Sequence, residues 1–134
     1  MSVSDLFQSI HHIALICSDY AKSKYFYTQI LGFPVIHETY REERCSYKLD
    51  LAVGRHAQIE LFSFNNPPKR VSGRSGEACG LRHLAFKVKN IEQVIAHLHN
   101  HGIASEPIRI DEITGKKFTF FRDPDDLPLE IYEC

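Results

Sequence analysis

The chain has 134 residues, of which 43% are hydrophobic and 25% are charged, with a formal net charge of −1. These values are typical of one globular domain, and the near-neutral charge excludes the basic field that drives nucleic-acid binding. No apolar run approaches the roughly 18 residues that span a bilayer, and the N-terminus lacks the segments of a secretory signal. We therefore expect a single domain over residues 1–134, located in the cytoplasm, without nucleic-acid or membrane partners.

The first half of the chain predicts one strand, one helix and three further strands. Residues 10–17 (IHHIALIC) form an apolar run of strand length, and Ser18 and Asp19 offer N-cap side chains for a helix that extends to about Leu31. Gly32 follows, where a left-handed residue commonly ends a helix. Three strand-like segments come next, at residues 35–40, 45–53 and 58–64.

The second half repeats this order after a linker. Residues 65–80 are rich in Pro, Gly and Ser, which is typical of a connection. Residues 81–88 (LRHLAFKV) predict a strand, and Asn90 can cap a helix that ends at Gly102. The apolar residues of that helix follow the i, i+3, i+4, i+7 pattern, and they are Ile91, Val94, Ile95 and Leu98. Strand-like segments follow at residues 103–110, 117–121 and 128–132.

The two halves are related by a nearly constant offset. His83 follows His12 by 71 residues, and Glu130 follows Glu60 by 70 residues. Both histidines lie in the first strand of their half, and both glutamates lie in the last. This internal repeat predicts an α+β fold of two tandem βαβββ modules. Their bounds are about residues 10–64 for module 1, 65–80 for the linker and about 81–134 for module 2.

The repeated histidines and glutamates indicate a metal site. Glu60 lies within QIELFSF and Glu130 within LPLEIYE, both strongly apolar surroundings for a strand carboxylate. A carboxylate that points into a sheet is costly unless it is paired or bound to a cation, whereas one that points outward is solvated. Two such glutamates matched by two histidines favour the first alternative. Two imidazoles and two carboxylates suit one divalent ion, Zn, Ni, Co, Mn or Fe, and such a site is more typical of catalysis than of structural zinc.

Five sequence motifs resemble those of the vicinal-oxygen-chelate superfamily, which contains glyoxalase I, bleomycin-resistance proteins, extradiol dioxygenases and fosfomycin-resistance enzymes. They are His12 with Asp19, FYTQILGF (residues 26–33), IEL at Glu60, RHLAF around His83, and DPDDLPLEIYE (residues 123–133). The resemblance covers nearly the whole chain. It implies a cupped mixed sheet around one metal bound by His12, Glu60, His83 and Glu130, and a homodimer that binds a small-molecule substrate.

The His-Glu-His-Glu order of the ligand positions is most similar to bacterial glyoxalase I. That resemblance implies a metal-dependent lyase, like lactoylglutathione lyase, that transfers a proton alpha to a carbonyl through a metal-stabilised enediolate. The substrate would be a glutathione hemithioacetal, and Glu130 or Glu60 would act as general base, with Glu130 favoured. Two alternatives stay open. One is an Fe(II)-dependent extradiol-type dioxygenase, which a fourth protein ligand disfavours, and the other is a small-molecule-binding protein without turnover.

Three positions depart from the glyoxalase I pattern. Ile16 stands where glyoxalase I usually has an Arg that helps to hold the glutathione carboxylate, and Phe64 stands where it tends to have Asn. Asp126 replaces the Gly of the DPDG motif, a milder change because Asp tolerates a left-handed backbone. The resemblance is therefore stronger for the metal ligands than for the residues that would bind glutathione. Another small α-hydroxycarbonyl or another thiol conjugate stays open as the substrate.

Basic residues of module 1 are candidate substrate ligands. Arg41, Arg44 and Lys48 lie in or between strands that would line the cup, where they could hold a substrate carboxylate. The alternative is that they are rim charges without a role. By strand alternation, His11 should point to the face opposite His12, so we expect packing or solvent contact there rather than ligation.

Other residues that often bind metals show no pairing pattern. His97, His99 and His101 follow one another at intervals of two, from which we expect solvent exposure and no shared helical face. The four cysteines form no CxxC pair and predict free thiols in a reducing compartment; they are Cys17, Cys45, Cys79 and Cys134.

Overall fold

The computed structural model describes residues 2–71 and 77–134, and the chain divides into two compact units, Met1–Pro67 and Pro68–Cys134. The first unit contains module 1 and the second contains module 2. The boundary between the units falls inside the predicted linker at residues 65–80. Residues 72–76 of that linker lie outside the described residues.

Module 1 has the predicted order of one strand, one helix and three strands. Its elements are β1 (His12–Cys17), α1 (Tyr20–Tyr25), β2 (Val35–Arg41), β3 (Ser46–Val53) and β4 (Ala57–Ser63). Asp19 caps α1, since its side chain accepts a hydrogen bond of 3.1 Å from the backbone N–H of Lys22. The helix continues as a π-helical turn, Phe26–Ile30, and the chain leaves it at Gly32, whose φ of 78° is left-handed.

The sheet of module 1 is mixed, with the strand order β1-β4-β3-β2. The pair β1–β4 is parallel, whereas the other two pairs are antiparallel. Alternate residues of the inner strands are buried on the side where α1 contacts β4; they are Leu49, Leu51, Ile59 and Leu61. Glu60 lies between two of these residues and therefore points to the opposite face. We call the face opposite the helix the open face of a module.

Module 2 repeats this architecture. Its elements are β5 (Leu84–Val88), α2 (Ile91–Asn100), β6 (Arg109–Ile110), β7 (Lys117–Arg122) and β8 (Pro128–Glu133). The strand order is β5-β8-β7-β6, and the pair β5–β8 is parallel. Asn90 caps α2 by accepting a hydrogen bond of 3.1 Å from the backbone N–H of Gln93. Leu129 and Ile131 are buried where α2 contacts β8, so Glu130 between them points to the open face.

One strand is much shorter than predicted. The segment 103–110 contributes only Arg109–Ile110 to the sheet. Pro107 has no N–H to donate to a strand ladder. The buried Thr119 hydroxyl shares its hydrogen between the carbonyl oxygens of Glu106 (2.7 Å) and Pro107 (3.2 Å), and the Glu106 N–H donates a backbone hydrogen bond of 2.9 Å to the Phe120 carbonyl oxygen. These contacts fix the segment on β7, but regular strand pairing starts only at Arg109.

The repeated order of elements confirms the predicted α+β class with two tandem βαβββ modules. No helix within residues 2–71 or 77–134 is long and apolar enough to cross a membrane. The four cysteines are thiols outside any disulfide: Cys17 is buried, whereas Cys45, Cys79 and Cys134 are exposed.

Candidate metal centre

The first His–Glu pair lies on the open face of module 1. His12 is the first residue of β1, and its Nδ1 lies 3.4 Å from Oε2 of Glu60 on β4. The parallel register sets this contact, because it places Ala14 directly beside Glu60 and His12 two residues earlier. The side chain of Glu60 is 12% exposed and that of His12 is 40% exposed. Strand pairing thus brings two of the predicted ligands together.

Module 2 contains the same pair. His83 directly precedes β5, just outside the strand rather than inside it as predicted, and its Nε2 lies 2.9 Å from Oε1 of Glu130 on β8. Ala85 lies beside Glu130 in the parallel register, as Ala14 lies beside Glu60. The side chain of Glu130 is 12% exposed and that of His83 is 25% exposed. The same strand register therefore produces the second pair.

The donor atoms of the two pairs suit a divalent cation. Each module offers one imidazole nitrogen and one carboxylate oxygen close together, and mixed N/O ligation is typical of Zn, Ni, Co, Mn and Fe(II). A largely buried carboxylate is stabilised when a cation offsets its charge. Within residues 2–71 and 77–134, no three His, Cys, Asp or Glu side chains form a group that could hold a metal. Each module carries half of the predicted ligand set, and the four-ligand site stays a prediction.

Two charged side chains of β3 lie beside Glu60 on the open face of module 1. Asp50 is its partner residue on β3, and Lys48 Nζ lies 3.0 Å from Asp50 Oδ1 and 3.9 Å from Glu60 Oε2. The lysine offsets part of the repulsion between two carboxylates that share one row of the sheet. Lys48 is among the residues predicted from the sequence and Asp50 is not, although the alternation of β3 puts both on the open face.

Two aromatic side chains of β7 lie on the same face as Glu130 in module 2. Phe120 on β7 is the partner residue of Glu130, and its ring meets the His83 imidazole edge-on, with centroids 5.1 Å apart. Phe118 lies two residues earlier on the same strand and therefore on the same face. Glu130 thus has apolar neighbours on β7 where Glu60 has charged neighbours on β3.

Of the predicted substrate-binding residues, two lie on the open face of module 1. Lys48 is engaged with the carboxylates described above. The Arg41 guanidinium lies over the Phe62 ring, 4.9 Å from its centroid, and Nη2 donates a hydrogen bond of 3.0 Å to Ser46 Oγ. Arg44 lies in the exposed turn that connects β2 and β3. Arg41 and Lys48 are therefore better placed than Arg44 to meet a ligand on this face.

Module 2 has an arginine in a similar setting that was not predicted from the sequence. Arg109 on β6 lies over the rings of Phe118 and Phe120, 5.1 and 5.3 Å from their centroids. Its Nη2 also donates a hydrogen bond of 3.1 Å to Glu106. The register that pairs Arg109 with Phe118 creates this contact, and a strand of two residues has no sequence pattern that would reveal it.

The remaining histidines are exposed, and one prediction about them is wrong. His97 and His101 are four residues apart, about one helical turn, and their ring centroids lie 4.6 Å apart. The expectation of no shared face overlooked this i, i+4 relation. His11 Nδ1 lies 2.9 Å from Nδ1 of His12, so His11 contacts a predicted ligand.

Known proteins resemble this chain along nearly its full length. It is 62% identical over 128 residues to the uncharacterized protein YwkD of Bacillus subtilis (strain 168), a match that covers 96% of this chain and 98% of the relative. It is 56% identical over 126 residues to the uncharacterized protein YaeR of Escherichia coli (strain K12), with 94% and 96% covered.

The fold is also similar to a solved structure. The crystal structure of a glyoxalase family protein from Enterococcus faecalis has a TM-score of 0.85 and 50% sequence identity to this chain, and the match covers 95% of this chain and 98% of that one. A model of the Glyoxalase/Bleomycin resistance protein/Dioxygenase superfamily matches residues 9–131. The chain therefore belongs to the Glyoxalase/Bleomycin resistance protein/Dioxygenase superfamily.

Proposed function

We propose that this protein is a divalent-metal-dependent lyase or isomerase resembling glyoxalase I, which moves a proton on the carbon alpha to a carbonyl. The observation that carries the proposal is the repeated His–Glu contact, at 3.4 Å in module 1 and 2.9 Å in module 2. His12, Glu60, His83 and Glu130 would hold one ion. Packing alone does not explain why each module has a largely buried carboxylate beside an imidazole on its open face.

The proposed chemistry assigns a distinct task to each kind of ligand. The neutral imidazoles of His12 and His83 would supply nitrogen donors, and Glu60 and Glu130 would supply oxygen donors and negative charge. When bound, a divalent ion would polarise the substrate oxygens and offset the negative charge that develops as the proton leaves. The ion would be Zn, Ni, Co, Mn or Fe.

Glu130 is the proposed general base, with Glu60 as the second candidate. The base has to reach a substrate proton, so it must leave its resting contacts during the reaction. Glu60 lies 3.9 Å from the Lys48 ammonium, which favours a fixed carboxylate. Glu130 has its 2.9 Å contact with His83 but no second ion-pair partner among the described residues, because its neighbours on the adjacent strands are Ala85 and Phe120. We therefore expect its carboxylate to be released more readily than that of Glu60.

The substrate is proposed to be a small α-hydroxycarbonyl, with the glutathione hemithioacetal of methylglyoxal as the first compound to test. Ile16, at the position where glyoxalase I usually has Arg, is 58% exposed and offers no charge to a glutathione carboxylate. Another thiol conjugate therefore remains a candidate.

The test combines elemental analysis with turnover. Wild type should contain roughly one divalent ion per complete site and consume the hemithioacetal of methylglyoxal and glutathione. His12→Ala and Glu130→Ala should lose both the metal and the turnover. His101→Gln is the matched control, because it disrupts the exposed histidine pair at the end of α2 and should leave both unchanged. Metal-free wild type at neutral pH would refute the metal site, and metal without turnover would refute the glutathione substrate.

A homodimer is part of the proposal, and the four ligands would come from one chain or from two. The double variants His12→Ala/Glu60→Gln and His83→Ala/Glu130→Gln separate these arrangements. A site shared between chains regains one intact copy in each mixed dimer, whereas a site within one chain stays broken in both. Recovery of metal binding after the variants are mixed and reassembled therefore reports a shared site.

A second candidate function is the binding of a small molecule without turnover. The observation that favours it is the pair of arginine–aromatic contacts, Arg41 over Phe62 and Arg109 over Phe118. Such surfaces bind flat or anionic molecules without any chemistry. Ligand binding by the metal-free protein, unchanged in Glu130→Gln, would support this function over the lyase. Consumption of O₂ with Fe(II) and a catechol would instead support a dioxygenase.

A further inference from the structure

Module 1 has a cavity beside the His12–Glu60 pair that the proposed chemistry does not use. Its volume is about 340 Å³, and it lies where the β3–β4 turn meets the start of β2 and the residue before β1. The polar side chains in its wall are His11, Arg55, His56 and Gln58. Ile36, Ala52, Ala57 and Gly54 complete the lining, so the wall contains no carboxylate.

The position of this cavity relates it to the first His–Glu pair. Gln58 precedes Glu60 by two residues on β4 and therefore shares its face, at a spacing of roughly 7 Å. Gln58 is also the register partner of His12, and its backbone N–H donates a hydrogen bond of 3.1 Å to the carbonyl oxygen of His11. A molecule with one end at His12 and Glu60 can thus place its other end in the cavity.

The charge of the cavity wall favours an anion. Among the described residues, the Arg55 guanidinium has no hydrogen-bond or ion-pair partner, and neither has the His56 imidazole. A guanidinium keeps its positive charge throughout the physiological pH range and can hold two oxygens of one anionic group. Gln58 adds amide N–H donors at the wall. Asp50 and Glu60 lie one row farther along the sheet and are not part of the wall.

We propose that this cavity binds an anionic group, a carboxylate or a phosphate, with Arg55 as its principal ligand. Resting on the proposed function, we further assign this group to the substrate, as an acidic end within roughly 7–10 Å of the carbon that loses its proton. The protein would then select acidic α-hydroxycarbonyl compounds through Arg55, which lies in the turn between β3 and β4, whereas Ile16 lies on β1.

The first experiment measures anion binding directly, without turnover. Inorganic phosphate and succinate are titrated separately into ¹⁵N-labelled wild type, Arg55→Gln and Lys22→Gln. The last variant is the control, since Lys22 is an exposed cation of the same module on α1. Backbone signals of residues 54–58 should shift in wild type and Lys22→Gln, and Arg55→Gln should bind at least about tenfold more weakly. A stronger response to phosphate identifies a phosphate site, and a stronger response to succinate identifies a carboxylate site. Equal affinity in Arg55→Gln and wild type would overturn the proposal.

The second experiment separates this inference from the proposed function. Turnover is compared for the methylglyoxal hemithioacetals of glutathione, which is acidic, and of 2-mercaptoethanol, which is neutral. Arg55→Gln should raise KM about tenfold for the acidic compound, leave its kcat unchanged and leave both constants unchanged for the neutral compound. Turnover of both compounds with no effect of Arg55→Gln would refute the substrate assignment alone. Arg55-dependent anion binding with no turnover of either compound would refute the proposed function and support the cavity.

Discussion

Phe120 occupies in module 2 the position that Asp50 occupies in module 1: each lies directly opposite the glutamate of its module, across an antiparallel strand pair. The two residues are 70 positions apart, the same offset that relates Glu130 to Glu60. The two modules therefore have the same backbone arrangement, whereas the side chains around the two carboxylates differ. Glu60 stands in an ionic setting and Glu130 in an aromatic one, and each setting supports a separate prediction.

The ionic setting predicts a stability effect of Lys48. Lys48→Met leaves Asp50 and Glu60 to repel each other, so the free energy of unfolding of metal-free protein should fall by about 1 kcal/mol. The loss should be smaller when Lys48→Met is made in an Asp50→Asn background, because only one charge is then left unpaired. Urea denaturation checks both variants. Lys22→Met is the control, and an equal loss in Lys22→Met would show that the charge cluster adds no stability.

The aromatic setting predicts an effect of Phe120 on metal binding. Phe120→Leu keeps apolar volume beside Glu130 but removes the ring that meets His83 edge-on. Such ring contacts contribute about 0.5–1.5 kcal/mol, so the affinity for the proposed metal should fall by roughly 2–10-fold. Metal titration of apo protein measures this change. Phe118→Leu is the comparison, because no ring contact joins Phe118 to His83 among those of the described residues. Equal losses in both variants would argue against a specific role for the Phe120 ring.

The helix caps predict matched losses in the two modules. Asp19→Ala and Asn90→Ala each remove a side chain that accepts a hydrogen bond of 3.1 Å from the first turn of a helix. Each variant should lower the free energy of unfolding by about 1 kcal/mol. Asp19→Asn and Asn90→Asp keep the cap and should lose much less. Urea denaturation followed by circular dichroism distinguishes these outcomes, and a loss in the Asp19→Asn variant as large as that in Asp19→Ala would contradict the cap.

The acid stability of module 1 should depend on Glu38. A hydrogen bond from Lys24 at 2.8 Å and a second from the Tyr20 hydroxyl hold the pKa of Glu38 below its ordinary value of about 4.5. Because the pKa is lower in the folded chain, this contribution is complete above the unfolded pKa and is lost as pH falls through the folded pKa. Glu38→Gln should therefore lower Tm at pH 7, and the difference from wild type should shrink in strong acid.

The control for this pH dependence is Glu92→Gln in module 2. Lys117 lowers the pKa of Glu92 by a hydrogen bond of 2.8 Å, but no tyrosine hydroxyl is among the causes of that shift. The Tm difference at pH 7 should be larger for Glu38→Gln than for Glu92→Gln. A Glu38→Gln difference that stays constant from neutral to strongly acid pH would contradict the assigned ion pair.

The predictable part of the fold comes from patterns that are local in the sequence. The caps at Asp19 and Asn90 and the alternation around Glu60 and Glu130 are visible in short windows, and the repeat offset links them. The repeat therefore predicts that each module carries one histidine and one glutamate of the proposed site. The structure adds the parallel register that makes the contacts, with Ala14 beside Glu60.

The unpredicted part depends on register between strands. Asp50 meets Glu60 only because β3 and β4 pair in one particular alignment, and Arg109 meets Phe118 through a strand of two residues. A one-residue shift in either pair would move these side chains to the other face. The sequence carries no short-range signal for such alignments. The Arg55 cavity was missed for the same reason, since its wall joins residues from three separate segments.

The strand order of each sheet places the proposed carboxylate ligands on more rigid strands than the proposed imidazole ligands. Glu60 and Glu130 lie on β4 and β8, strands with a paired neighbour on both sides, whereas His12 and His83 lie at or beside β1 and β5, which stand at one end of the strand order. Amides of doubly paired strands exchange their hydrogens most slowly, because they open only with large parts of the structure. Each glutamate therefore lies on a strand that opens rarely, whereas each histidine lies at or beside a strand that opens more readily. In the proposed site, Glu130 would therefore reach a substrate proton by rotating its side chain on a firmly held strand, and the strands that carry the two histidines would adapt to the size of the ion.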